Sequence, residues 1–258
     1  MRAIWSGAIG FGLVNIPIKI YSAVESSNLE LHLLDKKNHA GVKYQRINES
    51  TGKPVEWENI VKGYEYEGGF VELTDKDFDA VSPEKSRTID INEFVQEEVI
   101  DAMLIDTPYY LEPQKNGEKP YALLHRALTE TGKIALGSFV LRNKELFCMI
   151  KAIEDSLLIL VKLRFPEEIR TTEDINIPKK TAIKAEELKM AKALINQLSP
   201  KKINMAKYKD TYSAALMKLI EQKAKGKKVK QPAFKIAKIT KSDLMSQLKE
   251  SLKNKKAS

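Results

Sequence analysis

The sequence predicts an α+β protein, with an antiparallel strand-rich body followed by a helical C-terminal region dominated by lysine. Three observations carry this expectation. Ile16, Ile18 and Ile20 alternate at the period of a half-buried strand. The runs Ile134 to Leu141, Glu145 to Ile153 and Leu157 to Phe165 are strand-like, and their connections are short enough for antiparallel hairpins. Beyond Pro166 the apolar residues change from a period of two to helical spacing.

In chain order, Ile4 to Tyr21 is rich in β-branched and aromatic residues and reads as strand. Asp35 to Pro54 is polar and carries Lys36, Lys37, His39, Lys43, Arg46 and Lys53. Turn signals at Asn38 to Gly41 and Ser50 to Gly52 make it an extended hairpin or loop. Val61 to Leu73 resumes strand patterning across Gly68-Gly69, Arg87, Ile89 and Ile91 alternate, and residues 93–105 read equally as helix or strand. Pro120 suits a first helical turn, Tyr121, Leu124 and Leu128 form one stripe, and Gly132 is a natural terminator. The β-meander follows, then a connector over residues 167–180.

Three helices are expected after it. Lys184 to Leu198 has Leu188, Ala191, Ile195 and Leu198 at helical spacing and stops at Ser199-Pro200. Tyr208 to Lys223 sets Tyr208, Tyr212, Leu216, Leu219 and Ile220 on one side. A short last helix has Thr240 or Ser242 as its cap and Leu244, Leu248 and Leu252 as its stripe. A lysine-rich linker, Lys227 to Lys238, separates the last two.

A chain of 258 residues, 43% hydrophobic and 30% charged, can bury a core without disulfides. The single Cys148 cannot close an intrachain bridge, which fits a reducing, cytoplasmic setting. No run approaches the roughly 18 consecutive apolar residues of a membrane span. The apolar N-terminus is interrupted by Gly7, Gly10, Gly12, Asn15 and Pro17, so it reads as mature protein rather than a signal peptide. Charge is unevenly placed. Ser199 to Ser258 holds 17 lysines, no arginine and four acidic residues, a net +13, so the first 198 residues carry −5 of the overall +8. Such a basic arm on a mildly acidic body points to a polyanion, with nucleic acid as its natural partner.

Sites for chemistry are not apparent. Gly10-Phe-Gly12 lacks the third glycine and the following helix of a dinucleotide fingerprint. The Gly-Lys pairs at 52, 132 and 226 lack the earlier glycine of a phosphate-cradling loop. His32, His39 and His125 are far apart and the cysteine is alone, so the paired spacings of zinc sites are missing. His125 lies beside an apolar stripe and reads as a packed histidine, and Cys148, between Phe147 and Met149, as a buried inert thiol. Neither a catalytic role nor a cofactor is expected.

Several blocks, in order, resemble the bacterial Ku family over nearly the whole chain. They are Arg2-Ala-Ile-Trp5-Ser-Gly7, Phe11 to Lys19, Tyr21-Ser-Ala23, Lys62-Gly-Tyr-Glu65, Tyr109 to Pro113, Lys119 to Leu124, and Lys207 to Tyr212 continuing to Gly226. The resemblance implies a β-barrel core over residues 1–180, with a DNA-bridging arm at about 30–90. It also implies a helical region at 181–226 for dimer support and ligase docking, and a basic tail at 227–258. Two copies would close a homodimeric ring around double-stranded DNA, bind its ends without sequence preference, and recruit and stimulate the multidomain ATP-dependent DNA ligase D in non-homologous end joining. Expected DNA contacts are Lys36, Lys37, Lys43, Arg46, Lys53, Lys62, Arg142 and Lys144, with Lys227, Lys228 and Lys230 in the tail. Expected ligase contacts are Tyr208, Asp210, Tyr212, Leu216, Leu219 and Ile220, the alternative for this helix being that it packs on the barrel. The partners are therefore DNA ends, the ligase and a second copy, in the bacterial cytoplasm at the nucleoid, with no membrane. The von Willebrand-like domain and separate DNA-binding module of eukaryotic Ku relatives have no counterpart in these blocks, so their additional partners are not expected.

Two other readings stand beside this one. A basic nucleoid protein needs only the lysine tail and binds circular and linear duplex alike. A metal-dependent repair nuclease could gather distant carboxylates on an ion.

Overall fold

A computed structural model describes residues 1–81, 87–178, 181–226 and 244–254. Two compact units are present: residues 1–26 with 32–171, and residues 27–31 with the described residues from 172 onward.

The first unit is built on a closed seven-stranded barrel. The opening strand-like stretch is a hairpin rather than one strand. It comprises β1 (Trp5–Phe11) and β2 (Val14–Ser22), with Gly12 at φ 57° in the tight turn between them. A long excursion follows, containing the hairpin β3 (Lys62–Tyr66) and β4 (Gly69–Leu73) and the short helix α1 (Asp75–Val81). The barrel resumes with β5 (Thr88–Gln96) and β6 (Ile105–Pro113). The ambiguous stretch 93–105 therefore ends β5 and then makes two 3-10 turns, Glu97–Val99 and Ala102–Leu104. Helix α2 (Glu118–Thr131) precedes the meander β7 (Lys133–Leu141), β8 (Lys144–Ile153) and β9 (Leu157–Leu163).

Around the barrel the strand order is β1-β2-β6-β9-β8-β7-β5. The expectation of an antiparallel barrel is corrected at one seam, because β5 runs parallel to β1, with Ile9 opposite Ile89. A parallel neighbour needs a long crossover. The excursion after β2 supplies one, and lets β5 cross to the free edge of β1 while β6 takes the place beside β2. Next to this seam β5 is bulged between Ile91 and Glu93, where it faces Gly137 of β7. A Cβ at Gly137 would lie 2.2 Å from the Asp90 carbonyl oxygen, so the close backbone approach requires glycine there.

Alternation decides what is inside. Ile16, Ile18 and Ile20 point inward from β2, and Ile9, Ile89, Leu111, Leu158 and Leu160 join them in the core. Each such side chain contributes about 1.5–3 kcal/mol by leaving water. Helix α2 packs the predicted stripe Tyr121, Leu124 and Leu128 onto this core, and Gly132 ends it in the left-handed conformation at φ 64°. The Tyr121 hydroxyl donates to the Leu111 carbonyl at 2.7 Å and accepts from the Leu158 amide at 2.7 Å. Burial pushes its pKa up. Cys148 is fully buried, and burial pushes its thiol pKa to about 12.

The second unit holds α3 (Ala185–Leu198), α4 (Thr211–Ala224) and α5 (Leu244–Asn254). Glu187 caps α3 by accepting from the Lys184 amide at 3.1 Å. The α3 stripe differs from the predicted one. Met190, Ala191 and Leu194 are half-buried, whereas Leu188, Ile195 and Leu198 are exposed. Helix α5 packs against α3, and the half-buried face of α3 is rotated from the predicted stripe, sharing only Ala191 with it. Met245, Leu248 and Leu252 are half-buried on α5. The suggested caps Thr240 and Ser242 lie outside the described residues.

Candidate nucleic-acid interface

Between β2 and β5 the chain leaves the barrel, and residues 32–81 have almost no buried surface; only Val55, Leu73 and Phe78 are even half-covered. Short polar turns stiffen it. Asp35 accepts from the Lys37 amide at 2.8 Å and Asn38 from the Ala40 amide at 3.0 Å, closing a turn that displays Lys36 and Lys37. A second turn is organised by Asn48, whose side chain accepts from the Ser50 and Thr51 amides at 3.0 Å each. Isolated bridges Leu34–Gly41 and Ile47–Pro54 tie the flanks together, so this segment is a pair of short hairpin-like turns. These are Asx-type contacts, which is why Asp and Asn stand at those positions.

Most of the predicted basic residues stand on this arm. Lys36, Lys37, Lys43 and Lys53 are exposed on or beside the two turns. Arg46 is also exposed, with its guanidinium carbon 4.4 Å from the centroid of the Trp57 ring. Lys62 lies on β3, with its ammonium 4.5 Å from the centroid of the Phe78 ring.

Arg142 and Lys144 belong to a different part of the chain. Arg142 and Asn143 form the β7–β8 turn at φ 53° and 66°, a two-residue hairpin in the left-handed region. The fold brings this turn to the arm. One cleft is lined by Lys62, Asp75, Phe78 and Asp79 on the arm side and by Arg142, Asn143 and Lys144 on the barrel side. Three of the predicted cations thus share one concavity, with two carboxylates on the same wall tempering their charge. The remaining arm cations are spread along the excursion. Lys227, Lys228 and Lys230 lie outside the described residues.

The predicted ligase contacts divide. Tyr208 is not helical; it closes a 3-10 turn (Met205–Lys207) through its amide to the Met205 carbonyl, and α4 begins only at Thr211. Asp210 is the N-cap of α4: it accepts from the Ser213 amide at 3.0 Å, and also from the Ser27 hydroxyl at 3.2 Å. Hydrogen bonds from Ser213 hold its carboxyl below the usual aspartate range. Leu216 and Leu219 are half-buried, while Tyr208, Tyr212 and Ile220 are exposed.

Sequence reasoning missed the aromatic partners Trp57 and Phe78. The signal for Trp57 was an aromatic residue eleven positions from Arg46, across a turn whose register is set only by folding. The exposed apolar residues of the arm, including Leu33, Leu34, Tyr44, Ile47 and Phe70, were also missed as a set. His125 is satisfied by the Ile153 carbonyl, 2.8 Å from its Nε2, as a packed histidine should be.

Residues 10–190 match the family model described as Ku, the Ku70/Ku80 beta-barrel domain. A non-homologous end joining protein Ku from Coxiella burnetii is 37% identical over 262 residues, covering 98% of this chain and 95% of that protein. Proteins of the same name from Pseudomonas aeruginosa and Opitutus terrae are 39% and 41% identical; each alignment covers 86% of this chain, and 77% and 80% of the relatives respectively. Among solved structures, the SPOC domain of human PHD-finger protein 3 aligns over 63% of this chain and 97% of that one at a TM-score of 0.31 and 10% identity, a likeness too slight to carry an argument.

Proposed function

The chain belongs to the Ku family, and on that footing we propose that it binds the ends of double-stranded DNA without sequence preference, as a homodimeric ring, and delivers them to an ATP-dependent DNA ligase in non-homologous end joining. The observation that carries this reading is the convergence of Lys62, Arg142 and Lys144 on one cleft between arm and barrel. A protein that must accept any broken end cannot depend on base edges, so its grip must come from cations on phosphate. Lys62 and Arg142, 80 positions apart in sequence, meet at this cleft, which a merely solvated surface does not require.

Dimerisation has a physical motive. An arm that displays Leu33, Leu34, Tyr44, Ile47 and Phe70 to water carries an apolar surface that a second copy can cover. Closure of two arms around the duplex makes binding topological: a ring threads over a free end and cannot enter a closed circle. Ligase docking is assigned to the exposed side of α4 with the preceding turn, Tyr208, Tyr212 and Ile220, while Asp210 holds the helix start and Leu216 and Leu219 support it from within. The tail lysines Lys227, Lys228 and Lys230 add nonspecific affinity.

The test is ligation of a linear duplex by DNA ligase D with and without the protein, on free ends and on ends blocked by bound streptavidin. Stimulation is expected on free ends, and its loss is expected in a Tyr208→Ala/Tyr212→Ala variant that still binds DNA. No stimulation on free ends would exclude the ligase as a partner, and protein-dependent loss of DNA when magnesium is added would mark the protein as a nuclease instead.

A further inference from the structure

We propose that Trp57, backed by Arg46, is a stacking platform for an unpaired nucleotide at a duplex end, so that the arm favours overhangs over blunt ends irrespective of their sequence. This rests on the reading of the arm as a DNA-binding element and adds a site to it.

The two tryptophans of the chain are placed very differently. Trp5 is half-buried in the barrel wall, donating from Nε1 to the Val140 carbonyl at 3.2 Å with its ring edge-on to Phe139 at 5.8 Å. Trp57 is 68% exposed, and the Arg46 guanidinium lies over its ring at 4.4 Å. The pair is held by backbone rather than by chance side-chain contact. The Ile47–Pro54 bridge fixes the turn, and the Val55 amide donates to the Arg46 carbonyl at 3.0 Å. Trp57, two residues beyond Val55, is therefore the diagonal neighbour of Arg46 across the turn. It also opens a 3-10 turn (Trp57–Asn59) closed by the Ile60 amide on its own carbonyl at 3.2 Å.

An indole with a cation on one face and water on the other is the arrangement that holds single-stranded nucleic acid. The open face stacks on any base, and the guanidinium deepens the attraction and reaches the neighbouring phosphate. Internal bases of a duplex are stacked on both faces, and the terminal pair of a blunt end offers only its outer face at the very tip. An unpaired nucleotide, by contrast, can swing out of the stack and bring a free face to a platform on the arm. The second cation–aromatic pair of the arm cannot act this way: Phe78 under Lys62 is half-buried against its surroundings.

The experiment is titration of the full-length protein with DNA hairpins carrying one free end, either blunt or with a single-stranded overhang, following tryptophan emission and affinity together. Because Trp5 is tied into the barrel wall, quenching reports Trp57. The overhang hairpin should quench emission and bind roughly tenfold more tightly than the blunt one, the size of a single aromatic–base stack. Trp57→Leu should abolish that advantage, and Trp57→Phe should restore most of it. Equal quenching by both hairpins, an overhang advantage that survives Trp57→Leu, or an emission maximum showing Trp57 already covered by a second copy would each overturn the platform. Failure of the blunt hairpin to bind at all would instead strike at the DNA-end reading on which the platform rests.

Discussion

The Lys62 ammonium stands 4.5 Å from the centre of the Phe78 ring, joining the β3–β4 hairpin to helix α1 beside the Arg142–Asn143 turn of the barrel. The aromatic face steadies a side chain that would otherwise sample many rotamers, and leaves its charge available to a phosphate. Replacing Lys62, Arg142 or Lys144 by alanine should weaken binding to every duplex sequence alike. The slope of log affinity against log salt should fall by roughly 0.9 for each phosphate that is no longer neutralised. Fluorescence anisotropy across a salt series measures both quantities, and a sequence-dependent weakening would assign these residues to base reading instead.

The tail makes a parallel case by charge alone. Substituting glutamine for Lys227, Lys228 and Lys230 keeps the chain length and the distal helix α5 while removing three positive charges. The salt slope should become shallower by up to about 2.7 if all three meet phosphates. An unchanged slope would relegate these lysines to solubility.

Tyr121 ties the helix to the barrel. Leu111 and Leu158 face each other at one end of the β6–β9 pairing, and the tyrosine hydroxyl bridges the Leu111 carbonyl and the Leu158 amide. Tyr121→Phe preserves the ring and leaves two buried backbone groups without that partner, at a cost of about 1–3 kcal/mol. Denaturant unfolding should show the loss as a lower midpoint with an unchanged slope, and no change in midpoint would mean water replaces the hydroxyl.

Acid stability has an identifiable contributor in Asp106. It accepts a hydrogen bond from the Lys162 ammonium at 2.8 Å, with the Thr107 hydroxyl at 3.0 Å and Arg164 at 3.7 Å adding to it, and these hold its carboxyl below the usual aspartate range. A folded pKa lower than the unfolded one gives stability that is fully present above the unfolded value. That stability is lost as pH falls toward the folded value. Asp106→Asn should flatten this part of the acid-side decline, measured as melting temperature between about pH 5 and pH 2. An identical pH profile in the variant would show that the pair contributes nothing there.

Local chemistry made much of the fold readable. The β-meander and helix α2 follow from turn residues and an apolar stripe, and the structure places Tyr121, Leu124 and Leu128 on the core as the stripe requires. The parallel β1–β5 seam was not readable, because nothing near Ile9 marks Ile89 as its neighbour across a long excursion. The start of α4 was misplaced for a local reason: Tyr208 continues the spacing of Tyr212 and Leu216, and the cap that ends the pattern is a single Asp210. At the candidate interface the individual cations were named from charge and resemblance. Their grouping was not, since Lys62 meets Arg142 only after the barrel closes, and Trp57 meets Arg46 only once the turn register is set.

Threading is the property that separates a ring from a basic coat, and competition between two forms of one duplex measures it. Purified protein at moderate salt is offered the same DNA linear with free ends and as a relaxed closed circle, with and without magnesium. Stable binding to the linear form alone is expected, with the DNA intact in both conditions. Equal binding to the circle would rule threading out and leave a protein that coats duplex wherever it finds phosphate.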